Sequence, residues 1–201
     1  MRPAEVEAWE GEGGALATGA QGLSRSRVEA ARLRGLFEDV EPVEVTGRIN
    51  LEGRSPQDIA RMLPRFTTIQ QEGGNPAFGL LVENQTGRVF ALRSGLSPQI
   101  EETVNGIPFR TGTMTRAIAE AAGGVWAQAR NPLGAHIEGQ TAAFMRAQGI
   151  TDSTLYINGT TPCHGAKGCF ANLPTMLAEG SRLTVFNKRG RQFPTFAGLP
   201  D

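Results

Sequence analysis

The chain has 201 residues, 39% of them hydrophobic and 20% charged, which suits one soluble globular domain with an extra segment. Twenty Lys and Arg balance twenty Asp and Glu, so no global basic field advertises a stable nucleic-acid-binding protein. No apolar run approaches a membrane span, no signal peptide opens the chain, and two Cys with two His leave ligands for one metal site at most.

Met1 to Gly22 is rich in Gly, Ala and Glu without periodicity and reads as a flexible lead. Ser24 to Val40 reads as an amphipathic helix with Val28, Ala31, Leu36 and Phe37 near one face. Ser55-Pro56 is a helix start leading into Ile59, Met62 and Leu63, and Pro64 ends it. We therefore expect a partly helical N-terminal segment over residues 1–60 and the main domain over 61–201.

Phe78–Glu83 and Arg88–Ser94, joined by Asn84-Gln85-Thr86-Gly87, read as a β-hairpin. Thr113–Ala122 fits a short helix carrying Met114, Ala117, Ile118 and Ala121, stopped by Gly123-Gly124. Val125–Ala135 reads as a loop. His136–Gln148 is the best helix of the chain, with Ile137, Thr141, Phe144 and Met145 on one face and Gly149 suited to the left-handed C′ position. Thr154–Asn158 reads as a strand. A helix is expected from near Cys169 through Leu173, Met176 and Leu177, kinked or delayed by Pro174. Arg182–Phe186 is a further strand, and Phe193–Asp201 an extended tail.

The chemistry concentrates in two short segments, His136-Ile137-Glu138 and Pro162-Cys163 followed by Cys169. They resemble the H-x-E and P-C-x-x-C signature of zinc nucleobase deaminases, with five residues between the cysteines instead of two. Two thiolates and one imidazole roughly cancel the charge of Zn²⁺ and leave a fourth tetrahedral corner for water, whose pKa the metal brings down to about 7. Glu138, two positions beyond the His ligand, stands close to such a metal without binding it and serves as the proton carrier. Both ligand segments fall at or just before helix N-termini, where backbone N–H groups favour thiolate.

Plainer readings exist for each residue. An isolated H-x-E is most often a surface helix turn, and two cysteines six positions apart also suit a disulfide. His164 reads as a loop residue beside a ligand. Trp126 could stack on a base, and suits a core or interface position at least as well. Lys188, Arg189 and Arg191 read by default as a solvated basic turn, and otherwise as a phosphate holder.

The run His136-Ile137-Glu138-Gly139-Gln140, continuing through Ala143-Phe144-Met145 to Gly149-Ile150, is similar to the bacterial toxin deaminases, and most to the DddA-like toxins that deaminate cytosine in double-stranded DNA. Leu155-Tyr156-Ile157-Asn158, Pro162-Cys163 to Gly168-Cys169, Leu173-Pro174 to Met176-Leu177, Leu183-Thr184-Val185 and the closing Thr195–Asp201 extend the resemblance. It covers roughly Pro76 to the end, with Ser97 to Asn131 matching less well. It implies an α/β cytidine-deaminase-like fold, a central mixed sheet flanked by helices with zinc at two helix N-termini. It implies a zinc-dependent hydrolase converting cytosine to uracil in DNA, with metal ligands His136, Cys163 and Cys169 and catalytic Glu138. Ala135, Asn158, Thr161, Pro162 and Trp126 are the expected substrate contacts. Further implied are a pre-toxin segment over residues 1–60, secretion and delivery into the cytoplasm of target bacteria, a cognate immunity protein and a monomeric chain. The alternatives are a deaminase of single-stranded DNA, RNA or free nucleoside, and a non-catalytic zinc-stabilised module that binds nucleic acid or a partner.

Overall fold

The computed structural model of the chain describes residues 27–40, 42–65, 76–96, 101–111, 114–128, 132–160 and 162–200. These form strands β1 (Val43–Glu44), β2 (Phe78–Glu83), β3 (Val89–Arg93), β4 (Glu101–Val104), β5 (Ile107–Thr111), β6 (Asp152–Ile157), β7 (Arg182–Phe186) and β8 (Phe196–Ala197). The helices are α1 (27–36), α2 (Pro56–Met62), α3 (Arg116–Ala122), α4 (Ile137–Gln148) and α5 (Cys169–Met176).

One sheet runs in the order β4-β5-β3-β2-β6-β7-β8, with β1 added against β3. β3 with β5 and β6 with β7 are parallel, and the other pairs antiparallel, so the sheet is mixed as the resemblance implies. The strand period of two divides the core. Leu81, Phe90, Leu92, Leu155 and Ile157 face one layer, built on α4, α5 and α1, while Phe78, Leu80, Val89 and Ala91 face the other, with Ile59 and Leu63. Central strands buried on both sides need helices on both sides, and the chain supplies them.

Several elements differ from expectation. Among the described residues the first helix covers 27–36, and its buried stripe is Leu33, Phe37 and Val40, spaced four and three apart. Val28, placed on the apolar face by sequence, is 66% exposed, and Ala31 is exposed too. Thr115 caps α3 by accepting the Ile118 N–H, which starts that helix at Arg116. Val125–Ala135 is not a plain loop but holds two 3₁₀ turns, Gly124–Ala127 and Leu133–Ala135. Pro174 neither ends nor delays α5, which runs from Cys169 through it.

Residues between 27 and 63 also enter the body of the fold: Leu33 and Phe37 join one core cluster, Val45, Ile59 and Leu63 the other, and β1 pairs with β3. Asn105 and Gly106, both at positive φ (53° and 78°), turn β4 into β5. That is the backbone an Asn-Gly hairpin turn requires. None of the described helices is long and apolar enough to cross a membrane.

Candidate active site

α4 is the most enclosed element, with ten of its twelve residues buried. It packs on the sheet through Phe144, whose ring meets Phe90 edge-on at 4.8 Å. Its approach is set by the Leu133–Ala135 turn, where the His136 N–H donates to Leu133 O at 3.0 Å. His136 then occupies the N-cap in an extended conformation (φ −79°, ψ 153°) and Glu138 the second helical position. The turn lies so close to α4 that a Cβ on residue 139 would overlap the Leu133 carbonyl oxygen, hence Gly139.

The cysteines come from the other side. The Cys169 N–H donates to Cys163 Sγ at 2.8 Å and the Phe170 N–H to Cys163 O at 3.1 Å, folding residues 163–169 back on themselves at the start of α5. Asn172 Nδ2 donates to Ala166 O and Gly168 O and ties the loop to the helix. A Cβ on Gly168 would collide with the Cys163 carbonyl, so the five-residue spacing closes only with glycine there. Cys169 is thus the first residue of α5, as His136 is the cap of α4, and the cluster sits between two helix N-termini.

The three side chains converge. His136, Cys163 and Cys169 present ligand atoms that all lie within 4.8 Å of one another, with His136 Nδ1 at 3.2 Å from Cys163 Sγ and 3.4 Å from Cys169 Sγ. A tetrahedral zinc with ordinary Zn–S and Zn–N bonds needs an S···N edge of about 3.5 Å, so the donor set fits in chemistry and in size. Both cysteines are free thiols, which removes the disulfide reading.

The close approach of these groups also shifts their protonation, and only Cys163 is moved toward its ligating, deprotonated form. The hydrogen bond from the Cys169 thiol, opposed by burial and helped by His136 and the Cys169 N–H, holds the Cys163 thiol down to about 4. The same pairing with Cys163, together with burial, pushes Cys169 up. Burial disfavours imidazolium at His136, but the Cys163 sulfur and the Glu138 carboxylate outweigh it and raise its pKa. Glu138 is only 4% exposed, and burial pushes its carboxyl above the ordinary range despite its own backbone N–H and the Cys169 thiol within reach. A carboxyl so placed suits proton carriage better than permanent charge.

The expected substrate contacts fare unevenly. Ala135 is half-buried in the turn before His136, its carbonyl accepting from Gly95 N at 2.8 Å. Pro162 is buried beside Cys163. Thr161 lies outside the described residues. Trp126 is corrected: it is 4% exposed with its ring 4.7 Å from Phe37, a core residue with no face open to a base. Asn158 is buried and structural, its Oδ1 accepting the Phe78 N–H and its Nδ2 donating to Pro64 O, both at 3.0 Å. His164 is exposed, its ring 5.5 Å from Phe170, and stands outside the metal cluster as expected for a loop residue.

Sequence reading missed two supporting residues. Gln140 is fully buried and donates from Nε2 to Gly95 O at 2.6 Å, bracing the segment that Ala135 also holds. Arg146, also buried, donates to Met176 O and Leu177 O at 2.7 and 2.9 Å and fastens α4 to the C-terminus of α5. A polar residue one or two turns beyond H-x-E inside a helix this buried was the available signal.

Compared with known families, residues 83–198 match the SCP1.201-like deaminase family, more than half of the chain. No curated protein matches the sequence. Hydrolytic deamination needs a metal-ligand set and a proton carrier at one place, and both fall inside the matched span: the chain belongs to the SCP1.201-like deaminase family.

Proposed function

We propose that the chain is a zinc-dependent deaminase converting cytosine to uracil in DNA, with the duplex as the favoured form. The observation carrying this reading is the buried Glu138 carboxyl set beside the His136, Cys163 and Cys169 cluster, since a purely structural zinc site has no need of an acid there. The choice of cytosine and DNA rests on the motif resemblance from His136 to Val185. Zinc, when bound, supplies a Lewis acid that lowers the pKa of a water to about 7.

The remaining work falls to the chain. Glu138 takes a proton from the attacking water and delivers it to the ring N3 as oxygen adds at C4. It then takes the second proton from that new hydroxyl and passes it to the amine, so that the C4–N bond breaks, ammonia leaves and the C4 carbonyl of uracil forms. Burial, which holds its carboxyl above the ordinary carboxylate range, favours a group that takes up a proton and hands it on. Glu138 and its neighbour Ile137 are buried, which shields the carboxyl itself from bulk water. A base in a duplex must leave the stack to reach Glu138, at a cost of a few kcal/mol.

We extend the reading to an interbacterial toxin, secreted and delivered into the cytoplasm of target bacteria, restrained by a cognate immunity protein and acting as a monomer. Support for this part is the resemblance alone.

The test is a uracil-excision and strand-cleavage assay on matched double- and single-stranded oligonucleotides with the zinc-loaded chain. Cleavage at cytosines in the duplex is the expected result. Turnover confined to single strands, RNA or nucleosides would move the substrate, and zinc binding without turnover on any of them would leave a non-catalytic module.

A further inference from the structure

A basic cleft opens at the far end of the loop that brings in Cys163. Its cavity, about 520 Å³, lies between the exit of α2 and the turn after β7, with Arg61, Pro64, Arg65, Asn158 and Lys188 in its walls. Three of the lining residues are cations and none is acidic. Arg61 is engaged by Asp58 at 3.0 Å, whereas no described carboxylate pairs with Arg65 or Lys188. In a chain of zero net charge such a concentration is local, not the spill-over of a basic protein.

The walls are built, not merely adjacent. Asn158 Nδ2 holds Pro64 O at 3.0 Å, binding the exit of α2 to the end of β6. Asn187 Nδ2 donates to Thr160 O at 2.6 Å while its Oδ1 accepts the Arg189 and Arg191 N–H groups. The Lys188 N–H donates to Gly159 O at 3.0 Å. Gly190 packs against the backbone of Gln57, where a Cβ would come within 2.8 Å of Gln57 N. The cations therefore stand on a frame hydrogen-bonded to residues 158–160, the same loop that reaches the metal cluster at Cys163.

We propose that this cleft is a backbone-binding groove for DNA, with Arg65 and Lys188 each on a phosphate of the strand flanking the base presented to Glu138. The inference rests on the proposed deamination of DNA and adds where the strand runs. Asn158 and Cys163 are five residues apart, at most about 17 Å of extended chain. That is the length of about five base steps at 3.4 Å each, so the Asn158 wall of the cleft lies within a few nucleotides of the ligand Cys163 along a bound strand.

The test uses the full zinc-loaded chain and a labelled 20-base-pair duplex, following affinity by fluorescence anisotropy across salt concentrations. Arg65→Ala with Lys188→Ala is expected to flatten the slope of log affinity against log salt by about 1.8, or 0.9 for each phosphate no longer neutralised. Its KM on duplex cytosine rises at least tenfold while kcat holds, with an unchanged melting temperature. Arg27→Ala with Arg34→Ala removes the same charge from exposed positions of α1 and leaves the slope in place. An unchanged slope in the cleft variant, an equal flattening in the α1 variant, or a flattening seen with RNA and not duplex DNA would overturn the proposal. A flattened slope without turnover in the wild type would sink the deaminase reading and keep the groove; turnover with an unchanged slope would do the reverse.

Discussion

His136 enters the site from a helix with ten of its twelve residues buried, whereas Cys163 enters from a loop whose next four residues, 164–167, are all exposed. The first ligand is fixed by packing: Phe144 on Phe90, Gly139 under Leu133 and Arg146 on the end of α5. The second is fixed by a few backbone hydrogen bonds and by the absence of a side chain at Gly168. One half of the metal cluster is thus preorganised by the core. The other is held by few contacts, so metal binding is expected to add to its order, a coupling usual where binding closes a loop.

That contrast can be broken experimentally, and the largest effect belongs to the buried half. Glu138→Gln keeps shape and removes the proton carrier, so kcat should fall by about 10²- to 10⁴-fold with zinc content intact; an active, zinc-loaded variant would end the assigned role. Gly139→Ala forces a Cβ into the Leu133 carbonyl and should cost about 3 kcal/mol in denaturant unfolding. Gly168→Ala, on the loop side, should lose zinc affinity more than apo-chain stability, and the reverse order of the two glycine variants would contradict the comparison. Arg146→Ala leaves the Met176 and Leu177 carbonyls without their cation and should cost about 2 kcal/mol. Chelation should speed amide exchange across 163–169 by tenfold or more and leave the middle of α4 almost unchanged. The smallest effect is at exposed His164, where His164→Ala should move stability by less than about 0.5 kcal/mol and leave zinc content unaltered.

The same division decides what could be read from the sequence. α4 was legible nearly to the residue, because its apolar face, its H-x-E start and Gly149 at φ 66° all agree. The convergence of His136, Cys163 and Cys169 was legible from residue type and order. The hairpin of β4 and β5 carries a readable Asn105-Gly106 turn, but its short strands, with Pro108 inside one of them, lack the apolar alternation that would have marked them. The face of α1 was misjudged at Val28 because several registers of one short helix offer apolar residues, and only packing selects Leu33 and Phe37. Trp126 and Asn158 were unreadable for a different reason. An aromatic ring and an amide serve a core or a substrate equally well, and only Phe37, Phe78 and Pro64 reveal which.

The central claim is that one zinc ion is held by His136, Cys163 and Cys169 beside Glu138. X-ray absorption at the zinc edge of the purified chain tests it most directly. The account predicts one zinc per chain with two sulfurs at about 2.3 Å, one imidazole nitrogen at about 2.0–2.1 Å and one further light atom. A chain whose two sulfurs are bonded to each other, or a zinc without both of them in its coordination sphere, would contradict it.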